Sequence, residues 1–165
     1  MAEISVAHRS QAAAIDWKAA IWSGVIAGAI FMVLEMMMVP IFLDGSPWGP
    51  PRMIAAIVMG EGVLPPPATF DFMILMVALV VHFALSIVFA IMLAFPIARM
   101  GFGAALAVGA GFGLLLYLVN FYGFTAIFPW FAMARNWVSI VAHILFGLIA
   151  AWSYKRFAEP TTTAA

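Results

Sequence analysis

FDFMILMVALVVHFALSIVFAIMLAF, residues 70–95, decides the fold of this chain. Between Asp71 and Arg99 its only ionisable residue is His82. An α-helix rises about 1.5 Å per residue, so the stretch is long enough to cross a hydrocarbon core of about 30 Å. It reads as a transmembrane span with one titratable group near its middle. Three more apolar stretches surround it, at about 17–39, 101–122 and 137–154.

The whole composition agrees. The chain has 165 residues, 67% hydrophobic and 8% charged, with a mean hydropathy of +1.14. Soluble domains are about 45–50% apolar and about 25% charged. The chain is therefore an integral membrane protein in a lipid bilayer. Its formal net charge is zero, which offers no basic footprint for nucleic acid. It has no cysteine. That excludes disulfides, thiolate metal sites, c-type haem attachment and iron–sulfur clusters.

Residues 1–16 are polar and Ala-rich. Their AAA run, Ala12 to Ala14, precedes the apolar stretch instead of following it, unlike a signal-peptide cleavage site. The expectation is a retained cytoplasmic segment, a short helix or a frayed tail. The membrane domain covers 17–156, and 157–165 form a polar cytoplasmic tail.

The first span carries Gly24 and Gly28, a GxxxG that lets another helix approach closely. Glu35 follows and is the only acidic residue inside a span. A carboxylate near the bilayer centre costs about 2.5–3.5 kcal/mol on insertion scales, so Glu35 is expected to face the bundle, protonated or paired. Pro40 is expected to end this span. A loop of about thirty residues then carries PWGPPRM and LPPPATF at its ends. Within it, 53–60 reads either as a short helix with Pro51 near its start or as an ordered loop. Trp48, Met53, Ile54, Ile57 and Val58 suit a helix lying on the membrane surface, beside Arg52. The second span is expected to stop at Pro96.

The third span is Gly-rich, with Gly109 and Gly113 in a second GxxxG, and holds one strongly polar residue, Asn120. The second long loop contains FPWFAMARNW, an aromatic cluster with Trp130 and Arg135. The fourth span contains His143 and closes on Lys155 and Arg156. Arg9, Lys18, Arg99, Lys155 and Arg156 lie on one side, with Arg52 and Arg135 on the other. The excess of positive charge predicts that both termini are cytoplasmic and that the two long loops face the periplasm or exterior.

The spans read as two copies of one helical hairpin. Gly24, Gly28 and Glu35 have the spacing of Gly109, Gly113 and Asn120. His82 and Ser86 have the spacing of His143 and Gly147. With two spans per unit, the repeats have parallel topology. Glu35 and His82 each lie 17 residues from a flanking cation, or about 26 Å of helix. His143 lies 12 residues from Lys155, about 18 Å. The predicted architecture is an all-α membrane protein of four transmembrane helices, with both histidines facing the bundle interior.

Several of these residues carry a resemblance. VVHFALSIVFAIM resembles the second-span region of the YagU-type bacterial inner-membrane proteins. The block FPWFAMARNWVSIVAHILFGLIAAW, with Pro129, Trp130, Phe131, Ser139 and His143, is similar too. So is Glu35 followed by Pro40 and the element Pro50, Pro51, Arg52, at a longer spacing here. The resemblance covers residues 24–152. It implies an inner-membrane protein with a link to acid resistance and no established catalytic residues.

Glu35, His82, Asn120 and His143 then admit three readings. As interhelical glue they hydrogen-bond at about 0.6 kcal/mol each and fix the bundle's register. As a proton-responsive site, a carboxyl and two imidazoles alter one another's proton affinity inside a low-dielectric bundle. As axial ligands, His82 and His143 hold a b-type haem. The span-3 glycines would then leave room for the macrocycle, and Arg52 or Arg135 would meet its propionates. Copper or zinc at Glu35, Met36 to Met38 and the histidines is a minor option. Three successive methionines point about 100° apart and cannot share one ion. No nucleophile–base pair, phosphate loop or paired carboxylates occur, so no enzyme is expected. Docking as an accessory subunit of a larger respiratory-type complex, or as a homo-oligomer, suits the glycine-rich third span.

Overall fold

The computed structural model describes residues 15–158. Most of the N-terminal segment and of the C-terminal tail lies outside the described residues. Five α-helices follow in order: α1 (Trp17–Phe42), α2 (Gly49–Met59), α3 (Phe72–Ile97), α4 (Phe102–Leu118) and α5 (Trp137–Phe157). Among the described residues there is no strand, and four helical stretches are long and apolar enough to cross a membrane. The third of these is Phe102–Ala126. It is α4 extended by a π-helical turn, Val119–Gly123, and a 3₁₀ turn, Phe124–Ala126.

Local chemistry sets the helix starts. Asp16, Asp71 and Asn136 each accept from the backbone N–H three residues on, at 2.9–3.0 Å. Each satisfies one of the donors that every helix start leaves bare. Pro50 and Pro51 open α2, where a missing N–H is harmless. Gly60, at φ +79°, ends it.

The helix ends correct the expected span limits. α1 passes through Pro40 to Phe42, and α3 passes through Pro96 to Ile97. Each proline lies in the last turn, so it removes one helical hydrogen bond and leaves little helix beyond it to distort. The ladder resumes at once, with Leu43 N–H to the Val39 carbonyl and Ala98 N–H to the Ala94 carbonyl, both 3.0 Å. α5, which forms the fourth span, also runs past the expected limit, to Phe157.

α1 and α5 form the centre, with α3 against α1 and α4 against α5. The glycines account for both outer pairs. A Cβ on Gly24 would stand 2.6 Å from the Ile87 Cα and 2.9 Å from the Ser86 carbonyl oxygen. A Cβ on Gly109 would stand 2.5 Å from the Gly147 carbonyl oxygen, and one on Gly113 would collide with the His143 carbonyl oxygen. Ser86 and Gly147 each follow a histidine by one helical turn. In both pairs the first GxxxG glycine therefore meets the carbonyl at the same offset from that histidine. Lipid tails supply no hydrophobic drive between helices, so backbone approach of this kind holds them together.

The bundle is not equally tight along its length. At the end carrying the short α3–α4 turn, the core is small side chains: Ala19, Ala20, Ala94, Ala105, Ala150 and Ala151, with Leu93 and Ile97. Asp16 N–H donates to the Tyr154 hydroxyl at 3.3 Å, and the Lys155 ammonium donates to the Ala98 carbonyl at 3.3 Å. At the other end phenylalanines replace alanines, and the helices part around a cavity.

That end is closed by the two long loops. α2 is a full helix, but its apolar face is turned inward and not spread on a surface. Ala55 and Ala56 are buried, and Met53, Ile54 and Ile57 line the cavity, while Val58 is exposed. Arg52 holds its loop by donating to the Val63 and Thr69 carbonyls, at 2.7 and 3.1 Å. Arg135 holds the second loop by donating to the Phe121 carbonyl (2.7 Å) and the Thr125 hydroxyl (3.0 Å), over the Tyr122 ring. The Trp130 indole N–H then donates to the Met53 carbonyl at 3.1 Å, joining the second loop to α2.

Candidate functional site: an internal cavity with a polar end

A cavity of about 510 Å³ lies between the helices under this cover. Glu35, His82, Asn120 and His143 all line it, from α1, α3, the π turn and α5. Glu35, His82 and His143 are 6%, 7% and 5% exposed. Both histidines face inward, as the hairpin reading requires. The rest of the lining is mainly aromatic and aliphatic, including Phe31, Phe89, Phe121, Phe131 and Phe146. A mostly apolar cavity with a few convergent polar groups is the usual form of a small-molecule site.

The two imidazoles are held differently. His82 directs Nε2 to the Gly28 carbonyl at 2.8 Å. A carbonyl can only accept, so Nε2 carries the proton and donates. The Ser86 hydroxyl lies 3.4 Å from the same nitrogen. His143 directs Nδ1 to the Ser139 carbonyl at 2.7 Å, and its Nε2 lies 3.4 Å from the Asn120 amide nitrogen. In the neutral form His143 thus donates at Nδ1 and presents its Nε2 lone pair to Asn120. Asn120 reaches it from the π-helical turn, and such turns concentrate at functional positions.

Glu35 is less well provided for. The Ser139 side chain is its polar neighbour. Oε1 is buried with no hydrogen-bond partner. Among the described residues no lysine or arginine lines the cavity. Arg52 and Arg135, expected as partners for acidic groups of a ligand, are turned to backbone carbonyls of their own loops.

The glycines of α4 differ in what they face. α5 backbone closes the faces of Gly109 and Gly113, while Gly103 and Gly111 meet nothing within 4 Å. The Phe31 ring packs on both imidazoles, stacked on His82 with centroids 5.6 Å apart and edge-on to His143 at 4.9 Å. Among the described residues no group of three or more His, Cys, Asp or Glu is arranged to hold a metal ion.

Phe31 is absent from the residues that the sequence marks as polar or functional, and Ser139 stands there only within the resemblance. The available signal was spacing: Phe31 stands one turn before Glu35, and Ser139 one turn before His143, each on the same helix face. Trp48 and Pro51 serve the cover. Trp48 packs on Phe70 with centroids 4.9 Å apart, and Pro51 is fully buried.

Comparison with protein-family models, characterised proteins and solved structures gave no match. The reading of this site therefore rests on its own chemistry.

Proposed function

We propose that this chain is a non-enzymatic multi-pass protein of a bacterial inner membrane, with both termini cytoplasmic, and that its intramembrane Glu35–His82–Asn120–His143 group is proton-responsive. The observation that carries this is the buried, unpartnered Oε1 of Glu35. Groups that serve only as interhelical glue have their polar atoms satisfied, because an unmade bond there cancels the gain. One ring nitrogen of each histidine reaches a backbone carbonyl, whereas Glu35 Oε1 reaches nothing. An ionised carboxyl left unpaired in a membrane interior costs several kcal/mol. Glu35 therefore holds a proton, or a cation delivered from outside the chain. The resemblance to YagU-type proteins, with their link to acid resistance, supports the same reading.

The test is proton uptake. Wild-type protein and Glu35→Gln, reconstituted in lipid nanodiscs, are stepped from alkaline to acid pH and the protons bound are counted. The proposal expects the variant to bind about one proton fewer, since a single carboxyl is removed. Equal uptake by both would refute it. A visible spectrum of the same wild-type sample, oxidised and then reduced, is expected to lack haem bands. Haem bands lost in His82→Ala or His143→Ala would replace this reading with electron transfer.

A further inference from the structure

The cavity and its charge together point to a ligand. We propose that it takes an amphipathic organic cation, an ammonium group on an aromatic or branched apolar body, with the ammonium at Glu35. This rests on the reading of Glu35 as a proton-exchanging group, and the ligand's charge takes the proton's place.

Three observations favour this occupant over a neutral or anionic one. First, among the described residues Glu35 is the only lining residue that can carry a negative charge, and no lysine or arginine lines the cavity to balance it. The groups facing it from the packed elements are His82 on α3, Asn120 on the π turn, and His143 and Ser139 on α5. Tyr117 lies beyond His143, with ring centroids 5.9 Å apart. Arg52 beside α2 and Arg135 in the second loop are spent on carbonyls. Second, each imidazole gives an N–H to a backbone carbonyl, at 2.8 and 2.7 Å. A neutral imidazole has only one N–H. Neither ring then has a donor left for a ligand acceptor, so the two imidazoles offer nothing to an anion. Third, Phe31, Phe121, Phe131 and Phe146 line the cavity, and aromatic faces attract cations where water is excluded. An anion would find no lysine or arginine among the described lining residues to pair with.

The exchange balances without a further reactant. The ammonium enters with its charge, the Glu35 carboxyl releases one proton to water, and the charge inside the cavity stays constant.

Isothermal titration of the full-length protein with diphenylpropylamine hydrochloride tests the inference. It is run in two buffers of different ionisation enthalpy, which counts protons released. Diphenylpropanol, of similar shape without the charge, is the control and requires no variant. The expected result is saturable binding at one site, with about one proton released per ammonium. The alcohol and the Glu35→Gln variant should each bind at least about thirtyfold more weakly, as loss of one partner of a buried charge pair implies. Equal binding of the alcohol, unchanged affinity in Glu35→Gln, or no saturable binding to the wild type would overturn the cation site. In the last case, acid-step proton uptake at Glu35 would still leave the proton-responsive reading standing. Charge-selective binding without proton release would support the cation site and overturn the proton reading.

Discussion

At the scale of single residues, the site departs from what stability alone would select. Glu35 Oε1 is buried without a partner, so its removal should relieve the fold. Glu35→Met is expected to stabilise the protein by about 1–3 kcal/mol, the usual penalty for an unsatisfied buried polar group. Thermal unfolding in detergent, followed by circular dichroism, reads this as a higher Tm. The neighbouring residues should behave in the opposite way. Asn120 and His143 face each other at 3.4 Å. A double-mutant cycle of Asn120→Ala and His143→Ala should give a coupling of about 0.6 kcal/mol, the average for interhelical hydrogen bonds in membranes. The contrast separates an unsatisfied carboxyl from a pair that hydrogen-bonds between elements.

At the scale of elements, the glycines fall into two kinds that sequence does not tell apart. Gly111 and Gly113 lie two residues apart in α4. Gly113 stands on the α5 backbone, whereas Gly111 faces open space. Gly113→Ala would drive a methyl into the His143 carbonyl. The helices must separate, at a cost of about 1–3 kcal/mol, as for overpacking elsewhere. Gly111→Ala meets nothing and should stabilise α4 by about 0.5–1 kcal/mol through helix propensity. Unfolding of the two variants side by side checks both signs. Much of this level was legible in advance. The four apolar stretches, the two GxxxG helices and the inward histidines all follow from composition and a period of 3.6 residues. The spans' ends were not. A rule that stops helices at proline fails at Pro40 and Pro96, because each lies in a last turn where few bonds depend on it. The π turn at Val119–Gly123 left no sequence mark either. Within it the Phe121 carbonyl accepts from Arg135 of the following loop, a tertiary contact that local pattern does not contain.

At the scale of the whole molecule, an alanine- and glycine-tight end supports an end that opens into a cavity. The cover over the cavity is built from both long loops. Its joints, Arg52 to Val63 and Thr69, Arg135 to Phe121, and Trp130 to Met53, span 11 to 77 residues of sequence. That separation explains why the loops read as independent surface segments from sequence alone. Arg135→Ala should loosen the second loop without unfolding the bundle. Hydrogen exchange at residues 124–136 is expected to speed up severalfold, while the α1–α5 core keeps its protection. Four crossings also require both described ends to lie on the same side of the membrane. The chain has no cysteine, so single cysteines placed near Asp16, Ala158 and Trp130 give clean labelling. An impermeant maleimide should reach Trp130→Cys from one side only, and the other two positions from the opposite side.

The most direct test looks at the carboxyl itself. Infrared spectra of the protein in nanodiscs would be recorded across a pH series for wild type and Glu35→Gln. The account predicts a protonated-carboxyl C=O band in the wild type that fades as pH rises and is missing from the variant at every pH. Identical carboxyl bands in the two proteins throughout the series would show that Glu35 never exchanges a proton, and would contradict the account.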